Sequence, residues 1–291
     1  MGILIDTDTR VVVQGITGTQ GRKHTKLMLE FGTHVVSGTS PGKGGAKVQG
    51  VPVYDTVQEA LKAQSANASI IFVPAPFAAD AALEALESGV KIIVVITEHV
   101  PIRDAIELMN YAETLNAKII GPNTPGVISP SKCKLGILPS HEFSSGPVGV
   151  ISRSGTLTYE IATALTQVGV GQSTCLGIGG DPVTGINFID ALEMFRDDTE
   201  TKGVVLVGEV GGNLEELTAK YIAKEKYPKP VVAYIAGRTA PVGRRMGHAG
   251  AIIMGKAGTA DIKIEAFKNA GVVVAEKPSD VAKLIFRELR R

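Results

Sequence analysis

The chain has 291 residues, of which 44% are hydrophobic and 20% are charged, a composition typical of a folded globular protein. Its 30 lysine and arginine residues nearly balance its 29 aspartate and glutamate residues, so neither nucleic acid nor a membrane surface is expected as the main partner. The two cysteines, Cys133 and Cys175, lack the spacing of a zinc site or a disulfide framework. We therefore assign no metal ligands and expect a reducing compartment. No apolar run is long enough to predict a transmembrane helix.

The first half of the chain predicts alternating strands and helices. An apolar strand at 10–14 is followed by a glycine loop at 15–21 and a helical pattern that continues to residue 31. Glycines permit a tight turn, and the N–H groups at a helix start can face a phosphate, so this is the opening of a nucleotide-binding βαβ unit. Further strands are predicted at 34–38, 69–73, 91–96 and 118–120, and further helices at 78–88 and 102–115. The alternation predicts a parallel sheet covered by helices on both faces.

The residues at the end of the second strand help to distinguish between two kinds of ligand. A site for NAD usually has an Asp or Glu there, which binds the ribose hydroxyls. This chain has Ser37-Gly38-Thr39 instead, followed by Lys43 in a glycine-rich loop. A lysine in such a loop suits a phosphorylated ribose or a pyrophosphate better. An NAD-dependent oxidoreductase is the alternative from a different class of function.

The second half of the chain predicts another α/β series. Strands are predicted at 147–151, 172–177, 203–207, 230–235 and 272–274, and helices at 157–168, 188–196, 214–225, 260–269 and 279–289. We place a first domain at 1–125 and a second at 147–291. The segment 126–146 between them contains several Pro and Gly residues and no long helical period, and we interpret it as an interdomain crossing.

Four candidate site residues follow strands of this second series. Ser154 and Gly155 begin a helix, where backbone N–H groups form an anion site, although Ser154 can also simply cap the helix. Glu209 follows the strand at 203–207 and is well placed to hold an imidazole N–H. His248 lies among small residues and can act as a base, a metal ligand or a phosphoryl carrier, or be an ordinary loop residue. Parallel strands end at the same edge of a sheet, so these side chains can meet there.

The run at 250–257 approaches a P-loop but lacks its final residue. Ala257 stands where a Ser or Thr would hold magnesium, and no predicted strand directly precedes the run. We therefore reject it, and the chain has no recognisable site for a nucleoside triphosphate. Any such nucleotide has to bind another subunit.

These motifs, taken in order, closely resemble the α subunits of succinyl-CoA synthetase (succinate–CoA ligase) along nearly the whole chain. The matching motifs lie at 14–21, 39–45, 73–77, 96–98, 121–126, 152–160, 177–182 and 247–252. The resemblance implies an α/β chain with an N-terminal Rossmann-like CoA-binding domain followed by a flavodoxin-like parallel α/β domain. It also implies an acid–thiol ligase of the citric acid cycle that forms succinyl-CoA reversibly at the expense of ATP or GTP.

The same resemblance assigns site residues. It implies that coenzyme A is bound by eight residues: Thr17, Gly18, Thr19, Gln20, Lys43, Ile96, Thr97 and Glu98. His248 would be phosphorylated transiently with support from Glu209, and Tyr159 would help to form the succinate site. Together with the anion-site argument, it suggests that Ser154 and Gly155 hold the phosphoryl oxygens.

The resemblance further implies a partner β subunit, in an αβ or α2β2 assembly, that binds ATP or GTP with Mg²⁺. The small-molecule substrates would be succinate, CoA and phosphate. Related acyl-CoA ligases, such as an ADP-forming acetyl-CoA synthetase or a malate–CoA ligase, are alternatives, as is a non-catalytic CoA-sensing module. Because no presequence is recognisable, we expect a bacterial cytoplasm, or the mitochondrial matrix if the chain is a processed eukaryotic one.

Overall fold

The computed structural model describes residues 2–241, 243–253 and 258–291 and divides into two compact units. The N-terminal unit comprises Leu4–Leu138 together with Val183–Gly185. The C-terminal unit comprises Pro139–Pro182 and Ile186–Arg291 together with the first residues of the chain. The division after Leu138 falls inside the segment 126–146. Residues 254–257, the second half of the rejected P-loop, lie outside the described residues.

The N-terminal unit contains a seven-stranded sheet in the order β3-β4-β2-β1-β5-β6-β7. Its strands are β1 (Arg10–Gln14), β2 (His34–Thr39), β3 (Lys47–Val48), β4 (Val51–Tyr54), β5 (Ala68–Ile71), β6 (Ile92–Val95) and β7 (Lys118–Ile120). The helices are α1 (Thr19–Phe31), α2 (Val57–Ala63), α3 (Ala75–Glu87) and α4 (Ile102–Thr114). Only β3 is antiparallel to its neighbour. Without β3, the strand order is that of the doubly wound dinucleotide-binding folds, which confirms the predicted Rossmann-like class.

A short hairpin, β8 (Gly126–Ser129) and β9 (Cys133–Gly136), follows in the same unit. The sequence pattern did not predict it, and it also missed β3, β4 and α2. The hairpin strands lack the usual β-branched repeat and begin or end on glycine. Those glycines have a structural reason, because a Cβ atom on Gly126 would lie 2.0 Å from the carbonyl oxygen of Leu135.

The C-terminal unit has five parallel strands in the order β14-β13-β12-β10-β11. They are β10 (Ser145–Ser152), β11 (Gln172–Gly177), β12 (Gly203–Glu209), β13 (Val231–Ala236) and β14 (Val273–Ala275). The helices are α5 (Gly155–Gln167), α6 (Phe188–Asp197), α7 (Leu214–Lys224), α8 (Ala260–Asn269) and α9 (Pro278–Glu288). This is the flavodoxin-like order, as predicted. Among the described helices of the chain, none is long and apolar enough to cross a membrane.

The central strands of both sheets are apolar and buried, as expected for strands covered on both faces. Every residue of β5, β11 and β12 is buried. Burial on both faces leaves only the strand ends accessible to a ligand. The candidate site residues therefore lie at the strand ends, in the loops that follow the strands or in the first two turns of the next helices.

The glycine loop after β1 shows how tightly such a loop packs against its helix. Gly15 has a φ of +75°, a conformation that favours glycine. A Cβ atom on Gly21 would lie 2.2 Å from the carbonyl oxygen of Gly15 and 2.9 Å from the Cα of Ile16. Helix α1 can therefore approach the strand end only with glycine at position 21.

We expect Gly21→Ala to lower the free energy of unfolding of the N-terminal unit by about 1–3 kcal/mol, because the added methyl group overpacks the turn. Gly18→Ala is the matched control, since its Cβ would meet its nearest atom at 3.3 Å. Its φ of −70° also suits any residue. Urea unfolding monitored by circular dichroism measures both changes. Equal stability of the two variants would contradict this account of the turn.

Candidate functional site

His248 lies at the tip of a loop that folds back on itself after β13. An antiparallel bridge joins Arg245 to Ile252, and the backbone N–H of Met246 donates to the carbonyl oxygen of Ala251 at 2.9 Å. The imidazole packs against Gly180, where a Cβ atom would lie 2.4 Å from the Cγ of His248. The side chain of His248 is 28% exposed, so it is held in place but remains accessible.

Glu209 ends strand β12 and contacts one nitrogen of this imidazole. Its two carboxylate oxygens lie 3.0 and 2.9 Å from Nδ1 of His248. A carboxylate can only accept hydrogen bonds, so Nδ1 carries the hydrogen and Nε2 is the nitrogen available for chemistry. The structure thus brings together the two residues proposed as the catalytic pair.

The contact with Glu209 raises the pKa of His248. The hydrogen bond to the carboxylate stabilises the imidazolium form, and this effect outweighs the opposing effect of burial. Among the described residues, Asp181 adds to the rise and Arg153 opposes it. Proton release from His248 therefore requires a higher pH than for an ordinary histidine.

Four further charged side chains extend from Glu209 in a network of ion pairs. Arg153 places Nη2 3.3 Å from a carboxylate oxygen of Glu209 and Nη1 3.0 Å from one of Glu215. Lys263 forms ion pairs with Glu215 and with Glu216, the latter at 2.9 Å. Glu215 and Lys263 were not predicted from the sequence. No motif marks them, because both lie in ordinary amphipathic helices.

The predicted anion site is the N-terminus of helix α5. The hydroxyl of Ser154 accepts a hydrogen bond from the backbone N–H of Leu157 at 3.3 Å, so Ser154 caps the helix. Gly155 is the first helical residue, and N–H groups in the first turn of a helix have no partner within it. The site begins next to Arg153, which contacts Glu209. Tyr159 lies farther along α5 and is half-buried.

In the N-terminal unit, the residues proposed to bind coenzyme A follow the carboxyl ends of β1, β2 and β6. The hydroxyl of Thr17 donates to that of Ser40 at 2.8 Å, which joins the loops after β1 and β2. Gly18 is the N-cap of α1, and Thr19 and Gln20 are its first two residues. These residues present the start of a helix to a ligand.

Lys43 is exposed in the loop after β2, and the backbone of this loop is fixed by Asp55. One carboxylate oxygen of Asp55 accepts hydrogen bonds from the backbone N–H groups of Lys43 at 3.0 Å and Gly44 at 2.9 Å. The sequence analysis did not find Asp55. It lies 12 residues from Lys43 in a stretch with no recognised motif.

The last three residues proposed to bind coenzyme A, Ile96, Thr97 and Glu98, follow β6. The backbone N–H of Ile96 donates to the carbonyl oxygen of Ile71 at 3.2 Å. The hydroxyl of Thr97 donates to the carbonyl oxygen of Val73 at 2.6 Å. Glu98 is exposed. The loops after β5 and β6 are thus joined, as the loops after β1 and β2 are.

A largely apolar cavity of about 560 Å³ opens at the ends of β1, β2 and β5. Gly15, Pro41, Val73 and Phe77 contribute to its lining. Phe77 is 61% exposed, which is unusual for so large an apolar side chain. The volume of the cavity is sufficient for a flat or chain-like organic group, and Gly15 in its lining belongs to the glycine loop before α1.

Two family models match the chain. The model described as "CoA binding domain" matches residues 6–99. The model described as "CoA-ligase" matches residues 151–273. The first covers the glycine loop, Lys43 and the residues after β6, and the second covers Arg153, Glu209 and His248.

Three relatives that match nearly the whole chain carry the same name. The α subunit of the ADP-forming succinate–CoA ligase of Methanothermobacter thermautotrophicus is 56% identical over 287 residues, which cover 99% of this chain and 97% of that protein. The subunit of the same name from Aquifex aeolicus is 54% identical, covering 100% and 95% of the two chains. The one from Staphylococcus epidermidis is 52% identical, covering 97% and 93%.

Solved structures of longer proteins share the fold. An ATP citrate lyase from Methanothrix soehngenii, in complex with citrate and coenzyme A, matches with a TM-score of 0.90 at 26% identity. The match covers 99% of this chain, which spans 50% of that protein. A dinucleotide-forming acetyl-coenzyme A synthetase from Ca. Korarchaeum cryptofilum has a TM-score of 0.75 at 21% identity and supports the fold alone.

We expect Glu209→Gln to lower the pKa of His248 by about one pH unit, since a neutral amide stabilises the imidazolium less than a carboxylate does. Titration of the imidazole C–H resonances by NMR measures this change. His24 gives an internal comparison, because burial and the nearby Lys134 and Lys23 lower its pKa to about 4. The exposed Glu276→Gln is the matched control and should leave His248 unchanged. A wild-type pKa for His248 in the Glu209→Gln variant would contradict the assignment.

Proposed function

Because this chain belongs to the family of succinate–CoA ligase α subunits, we propose that it is the phosphohistidine-forming, CoA-binding subunit of an ADP-forming succinate–CoA ligase. The observation that carries the proposal is the contact between both oxygens of Glu209 and Nδ1 of His248. It leaves Nε2 as a nucleophile in a loop that remains accessible. The 52–56% identity to relatives of that name supports the substrate and the nucleotide.

Succinate must be activated before the thiol attacks, because a carboxylate oxygen is a poor leaving group. Phosphorylation of succinate converts that oxygen into phosphate, and the thiol of coenzyme A then displaces it. In the direction of succinyl-CoA synthesis, His248 accepts the phosphoryl group from ATP and passes it to succinate. In reverse, it accepts the group from succinyl phosphate.

The first transfer at His248 uses the lone pair of Nε2. This pair forms the N–P bond, the bond between phosphorus and the bridging oxygen of ATP breaks, and its electrons leave with ADP. The hydrogen on Nδ1 stays, so the ring becomes positively charged. Glu209 supplies the opposite charge at hydrogen-bond distance, which lowers the cost of the charged ring. In the second transfer a succinate oxygen attacks phosphorus and the neutral imidazole leaves.

Neighbouring groups of the C-terminal unit are suited to bind the negatively charged phosphoryl group and succinate. The first turn of α5, with Ser154 and Gly155 at its start, offers backbone N–H groups for the phosphoryl oxygens. Tyr159 lies on the same helix, and we assign it to the succinate site. Catalysis of this kind depends mainly on positioning and charge neutralisation.

The N-terminal unit fits coenzyme A. The start of α1 at Thr17, Gly18, Thr19 and Gln20 suits the diphosphate, and the ammonium group of Lys43 suits a phosphate as well. The cavity next to Phe77 offers apolar surface to the organic part of the molecule. Ile96, Thr97 and Glu98 complete the proposed set.

We assign the nucleotide and Mg²⁺ to a partner β subunit, since the sequence offers no recognisable triphosphate site and the relatives are themselves named α subunits. The assembly would be αβ or α2β2. In the chain itself we propose functional domains at 1–125 and 147–291, joined by 126–146. The reported relatives come from bacteria and an archaeon, so we expect the protein to act in the cytoplasm of such a cell.

His248→Ala should abolish phosphorylation of this chain in the assembled complex, because no other group replaces Nε2. The complex is incubated with ATP labelled at the γ-phosphate, and acid-labile, base-stable label on this subunit is measured. His141→Ala, which removes a histidine whose side chain is 79% exposed, is the control and should retain full labelling. Acid-labile label on the His248→Ala chain would show that the proposed function is wrong at its central step.

The labelled wild-type complex also tests the acyl substrate. Succinate should discharge the label and, with coenzyme A, yield a thioester. Acetate, malate and citrate serve as the competing substrates. If one of these acids discharges the label faster than succinate does, that acid replaces succinate in the proposal.

Lys43→Ala should raise the KM for coenzyme A about 10- to 100-fold, because a hydrogen bond to a charged phosphate is lost. The value of kcat should change little, since Lys43 is not at the reacting atoms. Lys62→Ala, which removes another exposed lysine from α2, is the matched control. Steady-state kinetics of the complex measure both variants. An unchanged KM in Lys43→Ala would remove this residue from the site.

A further inference from the structure

A continuous chain of buried charges leads from His248 into the C-terminal unit. It runs from Glu209 through Arg153 and Glu215 to Lys263, and ends at Glu216. The side chains of Glu215 and Lys263 are 0% exposed, and those of Glu209 and Arg153 are 9% exposed. The chain of charges approaches the solvent at both ends, at His248, whose side chain is 28% exposed, and at Glu216, whose side chain is 17% exposed.

Glu215 holds Glu209 in two ways. One of its carboxylate oxygens accepts a hydrogen bond from the backbone N–H of Glu209 at 3.1 Å. The same oxygen accepts one from Nη1 of Arg153 at 3.0 Å, while Nη2 of that arginine faces Glu209. Position 208 must be glycine for this arrangement, because a Cβ there would lie 2.7 Å from Cγ of Glu215.

Lys263 lies toward the other end of this chain of charges. It extends from α8 to the start of α7, where its ammonium group bonds both Glu215 and Glu216 and donates to the carbonyl oxygen of Gly212 at 3.2 Å. Arg153 donates to the adjacent carbonyl oxygen of Gly211 at 3.3 Å. The two cations thus fix the backbone that immediately follows Glu209.

The charges of this cluster do not cancel without His248. Three carboxylates face two permanent cations, which leaves one net negative charge while the imidazole is neutral. The ring becomes positive when Nε2 is protonated or phosphorylated and Nδ1 keeps its hydrogen. Protonation therefore balances the cluster, whereas a phosphoryl group also brings negative charges of its own.

We propose that Arg153, Glu215 and Lys263 are positioning residues that fix Glu209 and set the charge presented to the imidazole of His248. Their effect on phosphoryl transfer rests on the proposed function, whereas their effect on proton binding by His248 does not. Lys263 acts through Glu215 and Arg153 and touches no reacting atom. The other described charged group that acts on His248 is Asp181, which follows β11.

Two single substitutions change the cluster charge in opposite directions. Lys263→Met removes a positive charge at nearly constant length, so the pKa of His248 should rise by about one pH unit. Glu215→Gln removes a negative charge but keeps an acceptor for the N–H of Glu209, so the pKa should fall by a similar amount. The double variant restores the net charge and should return the pKa most of the way to the wild-type value.

The pKa of His248 is measured by NMR on the unphosphorylated full chain. In the complex, rapid-quench labelling with γ-labelled ATP gives the rate of phosphohistidine formation against pH. A protonated Nε2 cannot attack, so the acid limb of this profile should move with the pKa, upward in Lys263→Met and downward in Glu215→Gln. Lys268→Met and Glu265→Gln, both exposed on α8, are the matched controls and should leave the profile unchanged.

Opposite shifts that the double variant largely cancels would establish the inference. Shifts of the same sign, or none in folded variants, would overturn it, since a purely structural role gives no dependence on the sign of the charge. If Lys263→Met does not fold, the decision rests on the other two variants: the double variant must show a higher pKa than Glu215→Gln. A wild-type complex that forms no phosphohistidine would overturn the proposed function instead, while the NMR result would still decide the charge network.

Discussion

The candidate site depends on one interaction, the contact of the Glu209 carboxylate with Nδ1 of His248. It fixes which nitrogen is available, and it stabilises the ring when that nitrogen gains a proton or, in the proposed reaction, a phosphoryl group. Arg153 on one side of Glu209 and the imidazole on the other both contact its carboxylate. The rest of the cluster keeps Arg153 in place.

The parallel sheets explain why the functional loops are where they are. Strands buried on both faces have no accessible side chains except at their ends, and the carboxyl ends of parallel strands share one edge. In the C-terminal unit this edge collects Arg153 after β10, Gly180 after β11, Glu209 at the end of β12 and the His248 loop after β13. In the N-terminal unit the same rule collects the loops after β1, β2, β5 and β6. Each unit thus has one edge at which its candidate site residues lie.

This rule also explains how much the sequence could predict. The alternation of apolar strands and helices predicted an α/β series in each half of the chain, and strand ends predicted the positions of Glu209, His248 and Ser154. The Rossmann-like and flavodoxin-like classes came from the family resemblance. The alternation did not predict the short strands β3 and β4, helix α2 or the β8–β9 hairpin, because none of these has an apolar repeat of useful length. Glu215 and Lys263 were missed for a different reason. They lie 48 residues apart on separate helices, and only tertiary packing makes them a pair.

The buried charges are difficult to explain as a source of stability. Taking a lysine and a glutamate out of water costs several kcal/mol for each ion, and apolar residues of similar size often stabilise a protein equally well or better. Helix α8 already buries Ile264 and Phe267, so Lys263 is not needed to anchor it. A buried ion network does supply a fixed charge in a medium of low polarity, where that charge acts over a longer distance than in water. A site at which a ring alternates between neutral and positive benefits from such a charge, and its dependence on sign distinguishes this role from packing.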